Sequence, residues 1–306
     1  MAGKVLVLGA GELGLAVLRA LAQHPKRPST KLAVLLRQAS LDSTDTRKAG
    51  QIALLKSLGI EFETADVSSA SVDDLAPIFG RYDIVVSCTG MELPSGTQTK
   101  LAKAACQGRV KRYFPWQFGM DYDKIGQGSS QDLFDEQLAV RRLLRAQSQT
   151  DWVIVSTGLF MSFLFLAAFG VVDLEERVVR GLGSWDNRIT LTTPEDIGRV
   201  TADVMLDPQG VNNQVVYVAG DTLSYKKVGE LVDAHYGREF HKELWDLDVL
   251  SQQLKEDPNV MVKYRETFAH GVGVAWGMEE TINFKRGIKM TDAKTYLREV
   301  VNKNDS

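Results

Sequence analysis

The segment VLVLGAGELGLAVLRALA near the amino terminus, with LAVLLRQAS at 32–40, constrains the fold more than any other part of the chain. Its periodicities are met only by strand, tight turn, helix and second strand. Val5 to Leu8 form an unbroken apolar run, while Leu13, Val17, Ala20 and Leu21 recur at helical spacing. Gly9, Gly11 and Gly14 between and within them spell G-x-G-x-x-G. In a βαβ unit each glycine has a separate duty. Gly9 permits the turn, Gly11 lets backbone N–H groups approach a pyrophosphate, and Gly14 lets helix and strand pack closely. Glu12 and Leu13 open the helix, whose amino terminus supplies positive potential to a phosphate. A plain tight turn is the competing reading.

The end of the second strand carries the next signal. An NAD site usually places an acid there for the ribose hydroxyls, whereas this chain has Arg37, then Gln38 and Ser40. A guanidinium can stack on adenine and bond a 2′-phosphate, with the Ser40 hydroxyl as a further donor and Arg47 or Lys48 outside it. The expected cofactor is therefore NADPH/NADP+. A solvated arginine at a strand end is the alternative.

With 306 residues, 44% of them hydrophobic, the chain can bury a large core. Its 36 Lys and Arg against 39 Asp and Glu give a net charge of −3, with no basic stripe for a nucleic-acid backbone. No charged and apolar leader precedes the first strand, and the apolar run Val153–Val172 is broken by Ser156, Thr157, Gly158, Ser162 and Gly170. These features predict a cytoplasmic protein without a membrane span. Cys88 and Cys106 lack metal-ligand spacing and read as small buried hydrophobes.

Strands and helices then alternate. Strands are expected at 60–64, 83–88, 112–115, 152–156 and 215–219, and helices at 46–58, 71–79, 97–106 and 131–147. Thr193-Pro194-Glu195-Asp196 starts another helix with a hydroxyl cap, proline at the first position and acids in the first turn. Further helices are expected at 224–236, 249–256 and 292–301. The fold class is α/β: a Rossmann-type doubly wound parallel sheet with a smaller C-terminal lobe covering the substrate. We expect 1–158 and 187–219 to bind NADP, and 159–186 and 220–306 to form the substrate lobe.

Arg37, DIVVSCTG at 83–90, VKRYFPWQFGMDYD at 110–123 and LFDEQLAVRRLLR at 133–145 together resemble the NmrA-like and isoflavone-reductase-like branch of the atypical short-chain dehydrogenases. FPWQFG is similar to that family's F-P-S-E-F-G segment. The resemblance implies that Pro115, Gln117 and Phe118 lie beneath a nicotinamide ribose, with Thr89, Gly90 and Met91 along it. It also implies a lysine as acid/base group where this chain has Gln137. A glutamine donates and accepts hydrogen bonds but does not transfer a proton as lysine does. Helical spacing puts Gln137 in line with Leu133, Val140 and Leu144, so its amide needs partners in the cofactor, the substrate or the backbone. A core glutamine is the equal alternative.

No tyrosine has a lysine four residues on, so the ordinary short-chain dehydrogenase pair is absent. Tyr122, between Asp121 and Asp123, is the nearest candidate proton donor, against a solvated loop tyrosine. His24, His235, His241 and His270 are scattered, which argues against hydrolase and metalloenzyme chemistry. Phe160, Met161, Phe163 and Leu164, joined by Phe165 and Phe169, concentrate apolar bulk after the sixth strand. Half of that cluster is expected to be ordinary core. The rest, with Trp116, Trp185 and Trp276 as walls, suits a flat hydrophobic substrate. Three functions follow: an NADP(H)-dependent oxidoreductase on an aromatic or alkaloid-like metabolite, a redox-neutral isomerase or pericyclase of the Diels–Alderase kind, and a dinucleotide-sensing regulator.

Overall fold

Near-continuous apolar strands arise when helices cover both faces of a sheet. The first half of this chain is built that way. In the computed structural model, which describes residues 3–27, 30–91 and 93–301, it runs β1 (Lys4–Leu8), α1 (Glu12–Gln23), β2 (Lys31–Leu36), α2 (Gln38–Leu41), α3 (Thr46–Ser57) and β3 (Glu61–Thr64). There follow α4 (Val72–Phe79), β4 (Ile84–Ser87), α5 (Thr97–Gln107), β5 (Arg112–Phe114), α6 (Tyr122–Ile125), α7 (Leu133–Arg145) and β6 (Asp151–Ser156). The remainder adds β7 (Leu159–Phe160), β8 (Val172–Asp173), β9 (Val178–Leu182), β10 (Arg188–Thr192), α8 (Pro194–Leu206), β11 (Gln214–Tyr217), β12 (Asp221–Ser224) and α9 (Tyr225–Tyr236). It ends with β13 (His241–Trp245), α10 (Leu247–Glu256), α11 (Val260–Ala269), α12 (Ile282–Lys285) and α13 (Ala293–Tyr296).

Seven strands form one sheet in the order β11-β6-β5-β4-β1-β2-β3. The pairings from β3 across to β6 are parallel. Leu8 at the end of β1 aligns with Leu35 on one side and Ser87 on the other. The chain thus winds outward from β1 through β2 and β3, then returns to the other side of β1 with β4. That reversal opens a crevice at the carboxyl ends of β1 and β4, where such sheets bind ligands. Leu6, Leu8, Leu35, Phe79, Val85, Tyr113 and Ile154 belong to one buried core, joined by Val140 and Leu144 of α7.

Two compact units divide the chain: residues 1–117, 136–155 and 197–216 make the first, and 118–135, 156–196 and 217–306 the second. These bounds differ from the division read from sequence. Residues 118–135, 156–158, 187–196 and 217–219 group with the second unit. It holds two three-stranded sheets, β12-β10-β7 and β13-β9-β8, that the sequence pattern did not reveal. The physical reason is length: β7 and β8 have two residues each, too few to show alternation. Gly158 (φ +69°) gives β7 its entry, since an added Cβ would collide with the Thr190 carbonyl. The helix expected over 292–301 is α13 followed by one π-type turn, with Asp292 capping the Thr295 N–H.

Among the described residues no helix is long and apolar enough to cross a membrane. Nor does any His, Cys, Asp and Glu cluster there suit a metal ion. Cys88 is buried and Cys106 half-buried, and burial raises both thiol pKa values.

Candidate functional site

The glycine loop shows three separate uses of missing side chains. Gly9 has φ +89°, and its N–H donates to the Leu35 carbonyl at 3.1 Å. A Cβ on Gly14 would collide with the Gly9 carbonyl oxygen and lie 2.9 Å from its carbon, so α1 sits directly on the strand end. Gly11 (φ −69°) is different: no protein atom lies within 4 Å of the place a Cβ would take. As the N-cap of a twelve-residue helix it offers no side-chain cap, which leaves the first-turn N–H groups for an anion. Glu12 and Leu13 follow it, exposed and buried respectively.

The neighbouring strand ends continue the line. Arg37, at the end of β2, is exposed, and Ser40 is half-exposed in α2. Beyond β4, the Thr89 side chain lies against Gly9: its Cβ is 3.0 Å from where Gly9 would carry one. Met91 is 45% exposed. After β5 come Pro115, buried, and Trp116, partly exposed. A Cβ on Gly90 would fall into the Trp116 indole, so ring and backbone are in face contact. Sheet order therefore sets Arg37, the glycine loop, Thr89–Met91 and Pro115–Gln117 side by side on one edge. At about 4.8 Å per strand this spans roughly 14 Å.

Gly90→Ala is expected to push the indole aside and cost about 2 kcal/mol. Trp116→Ser in the same chain should return most of that loss. Thermal denaturation of the two singles and the double checks it, and additive effects would contradict the contact.

Gln117 is 1% exposed, and both polar atoms of its amide have a partner. Nε2 donates to the Gln137 carbonyl at 2.8 Å, and Oε1 accepts from Arg141 Nε at 2.7 Å. The side chain thus ties β5 to α7, leaving backbone groups at the strand end to meet a ligand. Arg141, wholly buried, was not singled out by the sequence. Gln137 sits one turn earlier, also wholly buried, and both its Oε1 and Nε2 lack a hydrogen-bond partner. An unsatisfied buried amide costs roughly 1–3 kcal/mol. Its cost is removed if a ligand group meets it.

Two further glutamines escaped sequence reading. Gln51 Nε2 of α3 donates to the Ala10 carbonyl at 2.7 Å, fixing the glycine loop, and Gln98 Nε2 of α5 donates to the Thr89 carbonyl at 3.0 Å. Glu136 accepts from the N–H groups of Gly96 and Thr99 and so caps α5. The partners of Gln51 and Glu136 lie 37 to 41 residues away in sequence and leave no local pattern.

In the second unit Tyr122 is 5% exposed, not solvated as its acidic neighbours suggest. Its ring centroid is 4.8 Å from that of Phe134, which in turn meets Tyr264, and its hydroxyl packs against Gly119. Phe118, 8% exposed, belongs to the same unit. Met161, Leu164 and Phe169 are core, whereas Phe160, Phe163 and Phe165 stay partly exposed. Phe160 and Phe163 meet edge to face at 6.4 Å, and Trp185, partly exposed, packs over Gly181. Trp276 is instead core, its indole N–H donating to the Val218 carbonyl at 3.2 Å. His270 pairs with Glu266 at 2.9 Å on α11's last turn.

Comparison with known proteins shows the family and the fold. The profile of the NmrA-like family matches residues 1–297. An NmrA-like family domain-containing oxidoreductase of Gibberella moniliformis is 58% identical over 301 residues, covering 98% of this chain and 99% of that one. The fold is that of a crystallised isoflavone reductase, with a TM-score of 0.81 at 21% identity over 98% and 99% of the two chains. It is equally that of the leucoanthocyanidin reductase–NADPH complex from Vitis vinifera, with a TM-score of 0.80 at 20% identity over 97% and 99%.

Proposed function

Because the chain belongs to the NmrA-like family, we propose that it is an NADP(H)-dependent oxidoreductase acting on a hydrophobic, aromatic or alkaloid-like small molecule. The observation that carries this reading is the single sheet edge running from Arg37 through the open Gly11 to Gly90 and Trp116. It offers a cation for a 2′-phosphate, a bare helix amino terminus for a pyrophosphate, and an aromatic wall beyond them.

When bound, the dinucleotide supplies a hydride. The chain's own work is positional. Gln51 and Gln98 hold the carbonyls of Ala10 and Thr89 and so brace the loops flanking the crevice. Gln117 holds the Gln137 carbonyl and Arg141, which fixes the α7 turn that carries the unpartnered amide. The Gln137 amide then bonds either the nicotinamide ribose or the substrate. Protonation falls to water, to Tyr122 or to the substrate itself. Trp116, at the sheet edge, retains the exposure that a flat apolar substrate requires.

The neutral amide at 137 also favours a second reading. A group that positions without transferring protons suits a redox-neutral isomerisation or cyclisation as well as hydride transfer.

Arg37→Ala is expected to weaken NADPH about tenfold, the loss of one charge-assisted contact at an exposed site, and to leave NADH nearly unchanged. Fluorescence titration of both cofactors checks it. Equal weakening of the two would remove the 2′-phosphate assignment. Incubating the NADPH-loaded protein with polycyclic aromatic and indole-type compounds, with product analysis, then separates the reactions. Stoichiometric loss of reduced-nicotinamide absorbance supports the oxidoreductase, and conversion without it supports the redox-neutral reading.

A further inference from the structure

Away from the nucleotide edge, the second unit places two arginines on one indole. The β9–β13 register pairs Arg180 with Glu243 and Leu182 with Trp245. Arg180, Glu243 and Trp245 therefore share one face of that sheet. The Arg180 guanidinium carbon is 4.6 Å from the Trp245 ring centroid, and that of Arg265, from α11, is 4.8 Å away. Arg180 is well supplied: Nε donates to Glu243 Oε2 at 2.6 Å and Nη1 to the Gly170 carbonyl at 3.0 Å. Arg265 is not. Its Nε is buried without a hydrogen-bond partner.

Burial first, and the Arg180 charge second, lower the pKa of Arg265, while Asp257 attracts it without a hydrogen bond. Stacking on an indole stabilises a cation but does not satisfy its N–H groups. A half-buried guanidinium with one buried, idle donor carries a cost that an oxyanion can offset. Gly170 packs closely against the pair: at φ +77°, an added Cβ would lie 3.1 Å from Trp245 Cη2 and 3.2 Å from Arg265 Nη1.

We propose that Arg265, seated on Trp245 beside Gly170, is a binding site for a small monoanionic carboxylate. Arg180 and Glu243 already neutralise each other, and Asp257 attracts Arg265 only from beyond hydrogen-bond reach, so the nook holds a cation whose Nε has no acceptor. A carboxylate cancels it, and its planar fork matches the guanidinium. The second charge of a phosphate would face Glu243. This site is independent of the nucleotide reading.

Calorimetric titration of the intact, NADPH-loaded protein with sodium benzoate, at ionic strength fixed with chloride, tests it. Saturable binding at one site is expected, with methyl benzoate silent and inorganic phosphate weaker. Arg265→Gln should weaken benzoate tenfold or more and leave NADPH affinity unchanged. Absence of saturable benzoate binding, undiminished binding in the variant, or a preference for phosphate would overturn the assignment. A measurement on the unaltered chain guards against a variant that does not fold: benzoate should protect Arg265 from phenylglyoxal, mapped by peptide mass. An Arg265 modified equally fast with and without benzoate also overturns it.

Discussion

Gly14→Ala is expected to destabilise the chain by about 3 kcal/mol and to weaken NADPH at least a hundredfold. The added methyl meets backbone, the Gly9 carbonyl oxygen and its carbon at 2.9 Å, with the Cys88 Cβ 3.5 Å away on the far side. A flexible side chain could swing away from such a contact, but a carbonyl in the turn between β1 and α1 cannot. The helix must lift off the strand, and with it the N–H groups aimed at the phosphate. Gly11→Ala is the control. Its φ of −69° suits any residue, and no protein atom lies within 4 Å of the new methyl. It should melt like the unaltered protein and yet lose NADPH affinity, because the methyl stands where the pyrophosphate approaches. Thermal denaturation paired with fluorescence titration separates the two. Unimpaired NADPH binding in Gly11→Ala would remove the phosphate site from this loop.

The contrast between those glycines marks what a sequence can disclose. G-x-G-x-x-G is local: strand, turn and helix lie within one short stretch, and each residue's duty follows from its place in that stretch. The line of Gln137 with Leu133, Val140 and Leu144 is legible too, because helical spacing orients it: Gln137, Val140 and Leu144 are buried and Leu133, at the helix start, is half-buried. What α7 packs against is another matter. Gln117 lies 20 residues from Gln137 and 24 from Arg141, and Gln51 lies 41 from Ala10. Nothing in the neighbourhood of a glutamine says whether its amide will pin a distant carbonyl. Tyr122 shows the opposite error. Flanking aspartates predict solvent, but Phe134 packs on the ring and is itself backed by Tyr264, which arrives from α11. The second unit was read as helices among loops because its sheets are assembled from remote strands, as where Leu191 of β10 pairs in parallel with Leu159 of β7.

Gln137→Leu is the substitution expected to move stability and function in opposite directions. In the ligand-free chain both amide atoms are buried without partners, and each such atom costs roughly 1–3 kcal/mol. Leucine is close to glutamine in volume and needs no partner, so it suits a wholly buried position. The ligand-free protein should gain about 2 kcal/mol, read as a higher Tm. The Gln117 bond to the Gln137 carbonyl is a backbone contact and survives the change. Function should fall. If the amide bonds the nicotinamide ribose, NADPH affinity drops about tenfold. If it bonds substrate, NADPH affinity holds and product formation drops about a hundredfold. A core glutamine satisfied within the protein gives another pattern: Tm falls and neither binding nor turnover responds beyond that loss. The sign of the Tm change therefore decides whether position 137 was built for the fold or for a ligand. A stabilised but impaired variant is the behaviour of a residue whose cost to the empty protein is recovered only when its partner binds.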